Sequence, residues 1–188
     1  MPPAPLLHRQ LVLIGLRASG KSTVAQALAA RLGVFAVDLD DRVRLRLGCA
    51  TVRDAFATAG EKAFREAETA ELAAALAQTA PAILALGGGT PTAPGAAELL
   101  RDARARDRAW IVFLDPPLER LAARLAQDAG DRPSLTGRGV VEEIEMVAQA
   151  RRPLYAALAD LVLREEDAPA MIASIIEGSA RAAGVVSA

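Results

Sequence analysis

Histidine and cysteine are almost missing from the sequence, and their scarcity excludes several kinds of site. The 188 residues include one of each: His8, in a proline-rich N-terminal segment, and Cys49. A Ser–His catalytic pair, a metal site with two histidines, an intrachain disulfide and a multi-cysteine zinc site are therefore excluded. No run of 18 apolar residues and no secretory signal pattern occur. We therefore expect a cytoplasmic protein without a membrane partner.

Lysine is the third scarce residue type. Only Lys21 and Lys62 among the 22 basic residues are lysines, and all the others are arginines. The 23 acidic residues bring the net charge to −1, so a nucleic-acid-binding surface is not indicated. Hydrophobic residues make up 52% and charged residues 24% of the chain. This composition is typical of a folded domain, and the length favours one domain.

Short apolar segments alternate with longer helical patterns along the chain. The predicted strands are residues 10–14, 34–37, 82–86, 110–114 and 161–163. The predicted helices are residues 21–32, 40–47, 52–57, 60–78, 96–105, 117–126, 140–158 and 168–182. This order predicts an α/β fold of three layers, with a five-stranded parallel sheet between helices. We expect a disordered tail over residues 1–9, a single domain over 10–188, and a mobile polar loop over about 128–139.

A phosphate-binding loop is predicted between the first strand and the first helix. The segment GLRASGKST fits the pattern G-x-x-x-x-G-K-[ST] in the strand–loop–helix context that this pattern requires. Backbone N–H groups and the helix N-terminus attract phosphate oxygens. Lys21 can reach the β- and γ-phosphates, and Ser22 offers a hydroxyl to Mg²⁺. The predicted nucleoside-triphosphate site consists of Gly15, Ala18, Ser19, Gly20, Lys21, Ser22 and Thr23.

Three aspartates follow the second predicted strand. If the segment is extended, Asp38 and Asp40 lie on one side of it, where one could hold a metal-bound water and the other accept a hydroxyl proton. Alternatively, Asp40 or Asp41 caps the next helix. The sequence by itself favours neither interpretation.

Two further features indicate an acceptor site. Gly87, Gly88 and Gly89 follow the third predicted strand, where glycines let a ligand approach the backbone; a flexible turn is the alternative. Arg65 and Glu68 lie three residues apart on a predicted helix and can pair. An arginine held in this way could grip a carboxylate with two parallel hydrogen bonds, whereas the alternative is a solvated surface arginine.

Taken together, these motifs resemble the shikimate kinase family, within the nucleoside-monophosphate-kinase-like group of P-loop proteins. The resemblance extends over about residues 11–177. Its parts occur in the family's order: the loop 15–23, Asp38 with Asp40, FREAE at 64–68, the glycine triplet, Arg132 with Pro133, and RRPLY at 151–155. The resemblance implies ATP-dependent phosphorylation of the 3-hydroxyl of shikimate by a monomeric enzyme. It also implies that residues 128–139 form a closing lid.

The resemblance further implies a role for each matching residue on the nucleotide side. Lys21 and Arg132 would neutralise the phosphate oxygens during transfer. Ser22 would bind Mg²⁺, and Asp38 would hold the ion through water. Arg124 aligns with the arginine on which adenine stacks in this family.

The acceptor side is implied in the same way. Asp40 would bind the ring hydroxyls of shikimate and act as general base. Arg65 and Arg151 would clamp the carboxylate, and Gly87, Gly88 and Gly89 would line the pocket with backbone.

The chain departs from the family pattern at three positions of the predicted site. Leu86 stands where the family usually has serine or threonine, which removes a hydroxyl expected near the metal-bound water. Arg17 and Ala18 replace a Met-Gly type pair, and Ala18 matters little if its φ angle is negative.

Two alternative functions remain open from the sequence. One is a kinase of another polyol acid such as gluconate. The other is a kinase-like sensor domain without turnover. The sensor is disfavoured because Lys21, Ser22 and Asp38 are retained and only about ten residues precede the first predicted strand.

Overall fold

The computed structural model describes residues 7–127, 140–164 and 168–187. Its strands are β1 (Gln10–Gly15), β2 (Ala36–Asp38), β3 (Ile83–Ala85), β4 (Ala109–Leu114) and β5 (Leu161–Leu163). Its helices are α1 (Lys21–Leu32), α2 (Leu39–Arg46), α3 (Val52–Leu76), α4 (Ala96–Ala105), α5 (Leu118–Gln127), α6 (Val140–Leu158) and α7 (Pro169–Ala182). A single 3₁₀ turn, Thr90–Thr92, lies between β3 and α4. The predicted lid at 128–139, with Arg132, lies outside the described residues.

The five strands form one parallel sheet in the order β2-β3-β1-β4-β5. Side chains alternate across β1, so that Leu11 and Leu13 pack against α1 and α7, while Val12 and Ile14 pack on the opposite side among α3, α4 and α6. Because both faces are covered, the central strands are apolar throughout. The predicted three-layer fold with a five-stranded parallel sheet is confirmed.

Helix α3 consists of two helical segments that meet at Gly60, in agreement with the predicted helices over 52–57 and 60–78. Within the span Val52–Leu76, Gly60 has non-helical angles, φ 78° and ψ 164°. This conformation is one that glycine adopts readily, and it bends the helix. On either side of the bend, the rings of Phe56 and Phe64 stack with their centroids 4.2 Å apart. The bend thus places residues of both helical segments in one small cluster with Val43 of α2.

The N-terminal tail is shorter than the sequence indicates. Leu7 is buried and forms an antiparallel bridge with Val186. The backbone N–H of His8 donates to the carbonyl of Val185 at 2.9 Å, and Arg9 pairs with Asp107. The expectation of disorder is therefore wrong for residues 7–9, because they pair with the far end of the chain. In the described ranges, no helix is both long and apolar enough to cross a membrane.

Candidate active site

Two adjacent cavities open where the strands of the sheet end at their carboxyl termini. The first, here called the loop cavity, has a volume of about 550 Å³ and is lined by Ala18, Gly20, Lys21, Ser22, Thr23 and their neighbours. The second, here called the arginine cavity, is smaller, at about 140 Å³, and is lined by Phe56, Phe64, Arg65, Glu68, Gly89, Arg151 and their neighbours. Ligands of open α/β sheets bind at this edge.

The loop between β1 and α1 is wrapped around the ammonium group of Lys21. This group donates to the carbonyls of Gly15 at 3.1 Å and Leu16 at 2.9 Å, and to the hydroxyl of Ser19 at 3.3 Å. Only 8% of Lys21 is exposed. Gly20, which caps α1, has φ 93°. The loop therefore holds a cation at the positive end of a helix, which is an anion-binding arrangement.

Ala18 occupies the left-handed region of backbone conformation, with φ 63°. The condition under which it would matter little, a negative φ, is therefore not met. An L-residue in this region is strained, because its Cβ lies too close to the following carbonyl oxygen. Arg124, at the end of α5, donates from Nη1 to the Ala18 carbonyl at 3.0 Å. This hydrogen bond helps to hold the strained peptide in place.

Replacing Ala18 by glycine is expected to stabilise the protein by about 1 kcal/mol, because glycine adopts a positive φ without this strain. Urea unfolding monitored by circular dichroism measures the change. The control is Ala30→Gly, at an exposed position of α1, which is expected to destabilise by about 1 kcal/mol. Equal losses in both variants would contradict strain at Ala18.

The structure distinguishes between the two interpretations of the aspartates at the end of β2. Asp38 is the N-cap of α2, with its Oδ1 accepting from the backbone N–H of Asp40 at 3.0 Å. Because α2 begins at Leu39, Asp38 and Asp40 do not lie on one extended segment. The prediction that they share one side of such a segment is wrong. The capping interpretation is right in kind, but the cap is Asp38 rather than Asp40 or Asp41. Asp40 lines both cavities.

Ser22 and Asp38 place two potential metal-ligand oxygens side by side at the rim of the loop cavity. The Ser22 hydroxyl donates to Asp38 Oδ2 at 2.5 Å. Within the described part of the chain, no group of three His, Cys, Asp or Glu side chains could enclose a metal ion. Mg²⁺ prefers oxygen ligands and commonly takes one or two from the protein while phosphates and water supply the rest. The donor set therefore fits Mg²⁺ bound together with a nucleotide.

In the arginine cavity, a buried carboxylate holds Arg65. Nη1 of Arg65 donates to Glu68 Oε2 at 2.6 Å, and the Thr90 hydroxyl donates to Oε1 at 2.6 Å. Glu68 is only 1% exposed, and burial raises the pKa of its carboxyl group against the opposing effect of Arg65. The predicted pairing is confirmed, and Arg65 is a fixed residue of the cavity rather than a solvated surface residue.

Glu68→Gln is expected to change how stability depends on pH. Because the folded-state pKa of Glu68 is raised above its usual 4.5, the folded protein keeps this proton to a higher pH than the unfolded chain does. The stability of the wild-type protein therefore falls as the pH rises from 4.5 through the raised value. Glutamine does not titrate. The free energy of unfolding of the variant, relative to wild type, should therefore increase as the pH rises from 4.5, as measured by urea unfolding at several pH values.

The control for this prediction is Glu61→Gln. Glu61 also faces Arg65, with its carboxylate 3.7 Å from Nε, but its side chain is 72% exposed. Glu61→Gln is expected to change the free energy of unfolding by less than about 1 kcal/mol, since an exposed pair contributes little. A flat difference for Glu68→Gln would contradict the raised pKa.

The backbone of the glycine triplet is fixed from α6. The carbonyl of Gly88 accepts from Arg151 Nη1 at 3.1 Å and from the Tyr155 hydroxyl at 2.8 Å. Tyr155 is fully buried, which raises its pKa to about 12, and its ring meets Phe113 edge-on at 5.6 Å. The sequence indicates packing as the role of Tyr155, and the structure adds this hydrogen bond. Arg151 and Gly88 are thereby held together.

The glycines of the triplet also allow close approach of neighbouring groups. A Cβ atom at Gly88 would lie 2.8 Å from the backbone nitrogen of Arg17, and one at Gly89 would lie 2.6 Å from Nη1 of Arg65. The first neighbour is backbone, which cannot move without the loop. The second is the end of a flexible side chain.

Gly88→Ala is therefore expected to destabilise the protein by about 1–3 kcal/mol through overpacking. Gly89→Ala should cost less, because Arg65 can swing aside at the expense of its place in the cavity. Gly178→Ala is the control, since a Cβ there meets nothing within 4 Å and alanine favours the interior of α7. Thermal unfolding compares the three, and an equal loss at Gly88 and Gly89 would contradict the backbone clash.

Most of the candidate site residues in the described ranges line one or both cavities: Ala18, Gly20, Lys21, Ser22, Thr23, Asp40, Arg65, Gly88, Gly89, Arg124 and Arg151. Four others are in neither lining: Gly15, Ser19, Asp38 and Gly87. The structure also places Pro169, the first residue of α7, in the lining of the loop cavity with Arg124. Sequence reasoning missed Pro169. Its position shortly after the last strand is the signal that could have identified it, because loops after parallel strands form this edge.

Comparisons with known proteins show which proteins this chain is similar to. The family model described as shikimate kinase matches residues 17–179. A shikimate kinase of Nitratidesulfovibrio vulgaris is 44% identical over 170 residues, which cover 89% of this chain and 91% of the relative. One of Rhodopirellula baltica is 39% identical over 159 residues, covering 81% of this chain and 80% of the relative.

Solved structures of such enzymes share the fold. The shikimate kinase of Acinetobacter baumannii in complex with shikimate superposes with a TM-score of 0.83 at 27% identity, covering 95% of this chain and 94% of that one. The shikimate kinase of Aquifex aeolicus gives a TM-score of 0.74, also at 27% identity, covering 94% of this chain and 98% of that one.

Proposed function

The chain belongs to the shikimate kinase family, and we propose that it transfers the γ-phosphoryl group of ATP to the 3-hydroxyl of shikimate. The products are ADP and shikimate 3-phosphate. The observation that carries the proposal is the junction of the two cavities, which Asp40 and Gly88 both line. A phosphate held in the loop cavity thus faces a hydroxyl held in the arginine cavity, with a carboxylate between them.

On the acceptor side, shikimate presents one carboxylate and three ring hydroxyls. Arg65 and Arg151 supply the two cations that a carboxylate clamp needs, and both are held by neighbouring groups of the protein. The triplet Gly87, Gly88 and Gly89 lets the ring approach the backbone. This clamp turns the hydroxyl end of shikimate toward Asp40.

The proposed chemical step takes place at the junction. The 3-hydroxyl oxygen attacks the γ-phosphorus, its proton passes to the carboxylate of Asp40, and the bond between the γ-phosphorus and the bridging oxygen breaks with ADP as leaving group. Phosphoryl transfer depends mainly on positioning and charge stabilisation. Lys21, at the N-terminus of α1, supplies positive charge to the phosphate oxygens. Arg132, outside the described residues, is proposed to add to it.

On the nucleotide side, the backbone and hydroxyls of Gly15, Ala18, Ser19, Gly20 and Thr23 are proposed to surround the phosphates. Arg124 and Pro169 lie in the lining of the same cavity, and a planar cation and a rigid ring are suited to the faces of adenine.

Ser22, directly, and Asp38, through water, are proposed to hold Mg²⁺. When bound, Mg²⁺ would neutralise part of the charge of the phosphate oxygens. The hydroxyl and the carboxylate are positioned for it by α1 and by the N-cap of α2.

We also propose an oligomeric state and a cellular location for the enzyme. We infer a monomer, because both cavities are built from elements of one chain. We infer a cytoplasmic location, because ATP is the proposed phosphate donor.

ADP release with Mg-ATP, measured with shikimate, quinate and gluconate in turn, tests the proposal. We expect release that depends on shikimate, with quinate and gluconate far weaker, because quinate has a saturated ring with an additional hydroxyl and gluconate has no ring. ATP without an acceptor is the control. Preference for gluconate would favour the polyol-acid kinase, and tight shikimate binding without ADP release would favour the sensor domain.

A further inference from the structure

Arg17 stands at the junction of the two cavities. Of the residues that the structure describes, three line both cavities, namely Arg17, Asp40 and Gly88. Asp40 has a proposed role as base, and Gly88 offers only backbone. Arg17 is the member of this group with a permanent positive charge, and none of the roles assigned so far uses it.

The backbone of Arg17 is fixed from both sides. Its nitrogen and Cα pack closely on Gly88. A Cβ atom at Gly88 would lie 2.8 Å from the Arg17 nitrogen and 3.1 Å from the Arg17 Cα. Gly88 in turn is held by Arg151 and Tyr155 through its carbonyl. On the other side, the carbonyl of the next residue, Ala18, accepts from Arg124. The backbone that carries the Arg17 side chain is therefore fixed where the loop packs on the glycine triplet.

We propose that the guanidinium of Arg17 binds the phosphoryl group while it passes from ADP to the acceptor hydroxyl. In this step, negative charge is spread over three equatorial oxygens, and an arginine presents two parallel N–H donors to such oxygens. Lys21 approaches the phosphates from within the loop, whereas Arg17 lies at the side toward the acceptor. Arg17 is thus a transition-state ligand supplied by the phosphate loop itself. This inference rests on the proposed kinase function.

Binding of the transition state rather than of the substrates has a distinct kinetic signature. Arg17→Met removes the charge and keeps an unbranched side chain of similar length. We expect kcat to fall by about 10²–10³-fold, the range seen when one such donor is removed. The KM values for ATP and shikimate should remain within about threefold of wild type, because uniform binding is not lost. Arg17→Lys keeps the charge without the paired donors, so its kcat should lie between those of wild type and Arg17→Met.

A second readout separates this role from a structural one. The affinity for ADP with aluminium fluoride and shikimate, which together mimic the transferring phosphoryl group, should fall in proportion to kcat. The affinity for ADP alone should not change. Arg101→Met is the matched control, because Arg101 is an exposed arginine of α4 paired with Glu98, away from both cavities. It should match wild type in every measurement.

The outcomes that would overturn the inference are specific. A wild-type kcat in Arg17→Met refutes it, as does a rise in KM without a change in kcat, which would mean ground-state binding. If Arg17→Met does not fold, Arg17→Gln takes its place in the same comparison. Absence of shikimate-dependent ADP release in the wild-type enzyme would instead refute the proposed function.

Discussion

Lys21→Met is expected to abolish turnover, with kcat lower by at least about 10³-fold. The ammonium group of Lys21 is held in the loop by the carbonyls of Gly15 and Leu16, directly at the N-terminus of α1. Methionine fills the same space without the charge, so the phosphates would lose their only lysine ligand. ADP release at saturating ATP and shikimate measures the loss.

The chain provides its own control for this experiment, since it has only one other lysine. Lys62 is exposed on α3, and Lys62→Met removes the same charge at a distance from the loop. We expect wild-type kcat for it. Appreciable activity in Lys21→Met would show that the role given to Lys21 is wrong.

Arg151→Ala and Arg65→Ala are expected to raise the KM for shikimate by about 10- to 1000-fold, because each removes one charge-assisted partner of the carboxylate. The KM for ATP should change little. The two variants should differ in stability. Arg65→Ala leaves the carboxylate of Glu68, which is 1% exposed, without its cation, and an uncompensated buried charge is costly. Arg151 has a backbone carbonyl as its described partner, so its loss is cheaper.

Arg152→Ala is the matched control for the clamp. Arg152 is next to Arg151 in the chain, but its guanidinium binds Asp115 at 2.7 Å and it is not part of the arginine cavity. Its KM for shikimate should match wild type. If Arg65→Ala and Arg151→Ala both keep the wild-type KM, the two arginines do not bind the carboxylate.

Local pattern was sufficient where the interactions are local. Helix α1 begins and ends where its sequence indicates, because Gly20 and Gly33 both adopt left-handed conformations at its ends. The pairing of Arg65 with Glu68 also follows from their spacing on one helix. For the same reason, the loop that holds Lys21 could be recognised without a structure.

Long-range partners explain most of what the sequence could not show. The N-cap of α2 depends on where β2 ends, and that is set by pairing of Asp38 with Ala85 of β3. Thr90 reaches Glu68 across 22 residues, and Tyr155 reaches Gly88 across 67. No periodicity in the sequence encodes such contacts. The ordering of residues 7–9 likewise depends on Val185 and Val186, at the other end of the chain.

The sign of a backbone angle was also beyond the sequence. Ala18 would matter little if its φ were negative, and its φ is 63°. The loop follows the path that a glycine would allow, because the Lys21 ammonium donates to the carbonyl of Gly15 and Nη1 of Arg124 donates to the carbonyl of Ala18. Tertiary contacts therefore override the local preference of alanine.

Identifying the phosphorylated product tests the central claim most directly. Shikimate, Mg-ATP and the wild-type enzyme are incubated together, and the product is examined by ³¹P and ¹H nuclear magnetic resonance. We expect one phosphate ester per ADP, coupled to the proton on carbon 3 of shikimate. A phosphate on another hydroxyl, or ADP with inorganic phosphate and unchanged shikimate, would contradict it.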